Sequence, residues 1–148
     1  KGHLAYFCST NEAPLLLTGD TLFLAGCGRI FEGTPEKMYQ SLQRLAALPD
    51  TTEIYCAHDY SLSNLAFAVA AEPNNVYAQQ RLAEVQALRD VDAITLPTRM
   101  DLEKQSNPFL RCTSLDIIRE LHQRELLAND KNDPLSVFTA LREWKNSF

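Results

Sequence analysis

The sequence predicts a layered α/β unit followed by an all-helical one. Three observations carry this expectation. Between Leu15 and Ala57 short apolar runs alternate with one amphipathic stretch, the strand, helix, strand order of layered α/β domains. Beyond Ser61 no run reads convincingly as a strand, and apolar residues recur at helical spacing. Pro73, in Glu72-Pro73-Asn74, falls between two such helical stretches and is expected to divide the chain into residues 1–72 and 73–148.

Each element has a local reason. His3-Leu4-Ala5-Tyr6-Phe7-Cys8 reads as a first strand. Leu15-Leu16-Leu17 and Leu22-Phe23-Leu24 flank Thr18-Gly19-Asp20-Thr21, which fits two buried strands or one strand with a local irregularity. After the loop from Gly26 to Gly33, Thr34 is a good N-cap and Pro35 sits at the first helical position, where its missing N–H costs nothing. Met38, Leu42 and Leu45 continue that helix, Pro49-Asp50 stops it, and Glu53-Ile54-Tyr55-Cys56-Ala57 forms a strand running into His58-Asp59-Tyr60. Leu62, Leu65, Ala66 and Val69 make one apolar stripe, and a helix from about Val76 buries Leu82, Val85 and Leu88. Residues from Thr95 to Leu110 read as an irregular connection. Thr113-Ser114-Leu115-Asp116 resembles a capping box, and Asp133-Pro134 caps the last helix as Thr34-Pro35 caps the first.

Composition excludes several classes of function. A chain of 148 residues with 45% hydrophobic and 22% charged residues is not disordered, and can build one sizeable core or two small ones. Its formal net charge of −5 argues against nucleic acid as a partner. Cys8, Cys27, Cys56 and Cys112 form no C-x-x-C pair, so reduced thiols are expected rather than a zinc finger or a redox dithiol. No apolar run is long enough for a membrane span and Lys1-Gly2-His3 has no signal pattern, so a cytoplasmic protein without membrane contact is expected. The chain starts without Met at the entrance of a strand, and we expect it to be part of a longer protein.

Two residues stand where strand ends deliver polar groups. Asp20 follows an apolar strand and a glycine; it either meets a cation or closes a turn on its own backbone. His58 follows the strand ending at Ala57, at the carboxyl end where α/β sheets hold ligands, and is either a ligand or structural. Cys27 between two glycines reads as a packed thiol, and His122 as a residue at the edge of a helix. Arg142 and Lys145 share one face of the last helix; they either clamp a carboxylate or decorate a solvated helix end, and the residues alone favour the second.

Together, Thr18-Gly19-Asp20-Thr21-Leu22-Phe23, Ala25-Gly26-Cys27-Gly28-Arg29, Phe31-Glu32-Gly33-Thr34, Cys56-Ala57-His58-Asp59-Tyr60, Asn64-Leu65-Ala66-Phe67-Ala68 and the closing Leu141-Arg142-Glu143-Trp144-Lys145 closely resemble the glyoxalase II family. These are hydroxyacylglutathione hydrolases of the metallo-β-lactamase superfamily. The resemblance implies that residues 1–72 are the second half of an αββα sandwich and that 73–148 are a helical glutathione-binding domain.

By the same resemblance Asp20 bridges two metal ions, zinc or else iron or manganese, and His58 ligates one, making both catalytic. Arg29, Tyr60, Asn64, Arg142 and Lys145 fall at positions that hold glutathione. A family tyrosine at a further glutathione-binding position is Phe31 here, which removes a hydroxyl donor. The family's T-H-x-H-x-D-H metal motif does not occur in the chain, and His3 matches a family histidine that is not a ligand. The expected activity of the intact enzyme is therefore metal-dependent hydrolysis of S-D-lactoylglutathione to D-lactate and glutathione. The isolated chain is expected to hold an incomplete metal site, to lack activity, and to associate with its N-terminal half or with itself. The alternative is a catalytically silent glutathione-binding or interaction module formed by truncation.

Overall fold

A computed structural model describes residues 3–9 and 12–148. Lys1 and Gly2, part of the start read above for targeting signals, lie outside them. Strands β1 (Tyr6–Cys8) and β2 (Leu15–Gly19) pair antiparallel, with Tyr6 opposite Leu17. Strands β3 (Leu22–Phe23) and β4 (Gly26–Cys27) form a small separate hairpin. Helix α1 (Pro35–Ala46) crosses over to β5 (Glu53–Cys56), which lies parallel to β2. Parallel neighbours require such a crossover, and a helix supplies it. Thr34 caps α1 by accepting the Lys37 N–H, with Pro35 in its first turn.

The pleat explains the two faces of this sheet. Leu16 and Ile54 are paired and fully buried, whereas their neighbours Leu17 and Tyr55 point the other way and are exposed. The register places Tyr6, Leu17 and Tyr55 in one row across three strands. Between Leu17 and Gly19 the register slips, leaving Thr18 as an extra residue. Its buried hydroxyl donates to the Leu22 carbonyl at 2.7 Å, and Gly19 takes φ +53°. The ambiguous segment is thus two strands, joined by a bulge that turns Asp20 out of the sheet.

Helices α2 (Ser61–Ala71) and α3 (Val76–Asp90) pack against each other. Of the expected stripe on α2, Leu65 is buried and Leu62 and Val69 pack against the same cluster, whereas Ala66 is exposed; Ser61, Asn64, Phe67, Ala68 and Ala71 complete the buried face. The expectation of an all-helical C-terminal part needs correction. β6 (Thr98–Arg99) pairs antiparallel with β5 and completes a sheet of order β1-β2-β5-β6. Two residues are too short for any periodic signal. The Met100 N–H to Thr52 carbonyl bond, at 3.0 Å, fixes the join. The connection read as irregular also contains α4 (Met100–Ser106) and a 3-10 turn at Pro108–Leu110.

Helix α5 (Leu115–Gln123) starts without the expected capping box. Ser114 at its N-cap instead donates its hydroxyl to buried Glu72 at 2.6 Å, a charge-assisted bond that outcompetes a local cap. Helix α6 (Pro134–Ser147) is capped by Asp133, which accepts the Ser136 N–H and hydroxyl. The main core takes Leu16, Leu42 and Ile54 from one side of Pro73 and Phe109, Ile117, Phe138 and Leu141 from the other. Among the described residues, no helix is long and apolar enough to cross a membrane.

Candidate functional site

Asp20 and His58 leave neighbouring parallel strands at the same end of the sheet, as their positions after β2 and β5 require. The Ala57 N–H donates to the Gly19 carbonyl at 3.0 Å and ties the two exits together. His58 Nε2 then lies 3.4 Å from Asp20 Oδ1, with both side chains more than half exposed. His3 closes the other side of the Asp20 turn. Its Nε2 accepts the Asp20 N–H at 2.9 Å, so Nδ1 carries the proton and donates to Thr21 Oγ1 at 3.1 Å.

His58 belongs to a cluster of three rings with Tyr60 and Phe23. Its ring stacks on Tyr60 at 5.3 Å, and Phe23 meets Tyr60 edge-on at 5.3 Å. The intervening Asp59 points away from the pair and accepts from the Ser61 N–H, the Ser61 hydroxyl and the Thr95 hydroxyl. Partial burial pushes the Asp59 carboxyl up, but these bonds outweigh it and hold the group below the usual range.

The second wall is the loop after β4. Arg142 on α6, only 5% exposed, donates from Nη1 to the Cys27 carbonyl at 2.7 Å and lies over the Phe109 ring. The solvated helix end favoured for Arg142 by its spacing is therefore wrong, because the guanidinium is buried against the Cys27 carbonyl and the Phe109 ring. Cys27 is buried and its thiol is pushed up to about 11 by burial, partly offset by Arg142. That is the packed thiol expected, and no nucleophile at neutral pH. Asn64 donates its amide to the Leu24 carbonyl at 3.1 Å. Lys145 Nζ donates to the Ser63 carbonyl at 3.2 Å beside the Phe67 and Phe148 rings. Burial, then the charges of Arg142 and Arg29, pull the Lys145 ammonium below the ordinary lysine range. Phe31 stands 86% exposed at the cleft.

These walls enclose a cleft of about 970 Å³, and all eight residues singled out from the sequence line it: Asp20, Arg29, Phe31, His58, Tyr60, Asn64, Arg142 and Lys145. Sequence reasoning missed Lys37 and Ser41, which also line it from α1. Their i, i+4 spacing puts them on one face of α1, a signal that was available. Four cations, Arg29, Lys37, Arg142 and Lys145, face the cleft against two carboxylates, Asp20 and Glu32, in a chain of net charge −5. Among the described residues, no ion pair engages Arg29, Arg142 or Lys145. No group of three or more His, Cys, Asp or Glu side chains able to hold a metal ion assembles among the described residues. Asp20 and His58 offer two metal donors and do not by themselves complete a metal centre.

Residues 59–148 match the protein family described as hydroxyacylglutathione hydrolase C-terminus. The chain belongs to this family. The match starts beside His58 and takes in Tyr60, Asn64, Arg142 and Lys145 of the cleft. Among the family's curated members, the chain is 50% identical over 147 residues to a hydroxyacylglutathione hydrolase of Pseudomonas entomophila (strain L48), covering 99% of this chain and 56% of that protein. Identity to the hydroxyacylglutathione hydrolase of Pseudomonas savastanoi pv. phaseolicola (strain 1448A / Race 6) is 51% with the same coverage. That of Pseudomonas aeruginosa (strain PAO1) is 50% identical, again over 99% of this chain and 56% of the protein. The chain thus spans about half the length of the curated relatives it matches.

Proposed function

We propose that this chain supplies the thiol-side binding wall and two metal donors of a thioesterase that converts S-D-lactoylglutathione to D-lactate and glutathione. The observation that carries the reading is the cluster of Arg29, Arg142 and Lys145, without carboxylate partners among the described residues, in the same cleft as the Asp20–His58 pair. Glutathione brings two carboxylates, and a cation cluster in a chain of net negative charge is what such an anion needs. On this reading Lys145 and Arg142 hold the glycine carboxylate, Arg29 and Tyr60 the peptide, and Phe31 contributes apolar contact only.

Asp20 and His58 would hold part of a pair of zinc, iron or manganese ions, completed by donors outside this sequence; such ions supply a water acidic enough to act near neutral pH and a Lewis acid for the thioester oxygen. The chain's own residues orient the thioester and keep its glutathione half in place. In this reading residues 1–72 are half of a metallo-β-lactamase-like αββα sandwich and 73–148 its helical glutathione-binding domain, in a cytoplasmic enzyme. The exposed row Tyr6, Leu17 and Tyr55 supports association with the other half of that sandwich or with a second copy.

A second reading, a silent glutathione-binding module, is favoured by the two-donor count. Titrating the chain with S-methylglutathione while following amide shifts at 27–31 and 60–64 tests the binding claim common to both. Thiol release from S-D-lactoylglutathione in the presence of zinc, measured on the chain joined to the remaining part of one of the hydroxyacylglutathione hydrolases it matches, separates them: release favours the enzyme, binding without release the module.

A further inference from the structure

Glu103 on α4 is a fully buried carboxylate that touches neither the cleft nor a charged side chain within hydrogen-bond distance. Its Oε2 accepts the Ala25 N–H at 2.8 Å and the Asn107 side-chain amide at 2.9 Å; its Oε1 accepts the Thr98 hydroxyl at 2.7 Å. A buried carboxylate is expensive unless its lone pairs are met, and three donors meet them here. Asn107 is the C-cap of α4 itself, and the other two donors come from two separate places, the tip of the β3–β4 hairpin and strand β6.

Both places lead to the cleft. Ala25 sits at φ +53°, a left-handed conformation that alanine rarely adopts, so something outside the hairpin must hold it there. Asn107 assists by donating to the Gly26 carbonyl at 3.1 Å. On one side of this hairpin stands Asp20, on the other Arg29. The two ends are clasped by the Gly28 N–H to Thr21 carbonyl bond at 3.1 Å. Strand β6, carrying Thr98, pairs with β5, and β5 leads directly to His58. One side chain therefore links the hairpin between Asp20 and Arg29 to the sheet that aims His58.

We propose that Glu103 is a positioning residue that sets the Asp20 and Arg29 side of the cleft against the strand leading to His58. It acts through the hairpin, from behind, and meets no ligand. The proposal rests on the reading of the cleft as a glutathione site only where binding is measured; the positioning itself is a property of the unliganded chain.

The test is residue-resolved amide exchange in the full chain carrying Glu103→Gln, which keeps the shape but turns an amide donor toward groups that already donate. Exchange of the Ala25, Gly28 and Ala57 amides should quicken by tenfold or more while amides within α1 and α6 stay within twofold. S-methylglutathione affinity should fall at least fivefold. A uniform increase along the whole chain, or no change at the hairpin, would overturn the proposal. Asn107→Ala, which removes the second support of the same turn, gives an independent reading with the same selective pattern expected. If both variants fail to fold, Glu103 serves core stability alone and the proposal is wrong. If the unaltered chain binds no glutathione while the selective exchange pattern holds, the functional reading fails and the positioning role survives.

Discussion

Arg142 Nη1 donates to the carbonyl oxygen of Cys27 at 2.7 Å, joining the last helix to the end of β4 across 115 positions of sequence. The same guanidinium also lines the cleft. Arg142 thus has a structural partner as well as a place at the site, and Lys145, one turn further on, is the freer of the two cations.

Replacing them should separate these roles. Arg142→Ala leaves the Cys27 carbonyl unpaired in a buried place, which costs about 1–3 kcal/mol and lowers Tm by several degrees. It should weaken S-methylglutathione binding as well. Lys145→Ala should leave Tm within a degree or two and weaken binding about tenfold. Thermal melts beside calorimetric titrations of both variants check this; equal loss of Tm in the two would contradict it.

The Lys145 ammonium has a lowered pKa because of burial and the nearby Arg142 and Arg29 charges. Between its folded and its ordinary value the unfolded chain holds more protons, so this group makes stability rise with pH across that window. An anion in the cleft favours the charged form and should cause proton uptake on binding at alkaline pH. Titrations in two buffers of different ionisation enthalpy measure it, and the uptake should vanish in Lys145→Ala.

Buried Glu72 pairs with Arg111 through two bonds of 2.7 Å and accepts from Ser114 and Asn75. Burial pushes its carboxyl up, but these donors outweigh it and hold the group below the ordinary glutamate range. A carboxyl lowered on folding contributes stability that is present above its unfolded pKa and lost as pH falls through the folded one. Glu72→Gln should cost about 3 kcal/mol at neutral pH and flatten the acid limb of stability, as read from urea unfolding between pH 3 and 7.

Gly28 marks the closest backbone approach at the site. A Cβ there would lie 2.0 Å from the Asp20 carbonyl oxygen, so Gly28→Ala must force the hairpin ends apart. We expect a loss of about 1–3 kcal/mol together with weaker glutathione binding. Retention of both would show that Asp20 and Arg29 need no fixed spacing.

Sequence patterns expose the Asp20 and His58 positions because each ends a short apolar run, and the caps at Thr34 and Asp133 because their donors lie within three residues. The rest depends on partners far along the chain. Arg142 reads as a solvated cation until its partner Cys27 is known. Glu103 falls within the stretch read as an irregular connection, and its role shows only once Ala25, 78 positions away, is found beside it. Ser114 looks like a cap but is taken by Glu72. Two-residue β6 carries too few side chains to show alternation, yet without it Thr98 would not reach Glu103.

The central claim is that the cation cluster reads a glutathione carboxylate, and one calorimetric comparison tests it most directly. S-methylglutathione and its glycine-amide analogue differ only in that carboxylate. The account predicts that the amide binds the chain at least tenfold more weakly, and that Lys145→Ala narrows the difference to within about threefold. Equal affinity of the unaltered chain for the two ligands would contradict it.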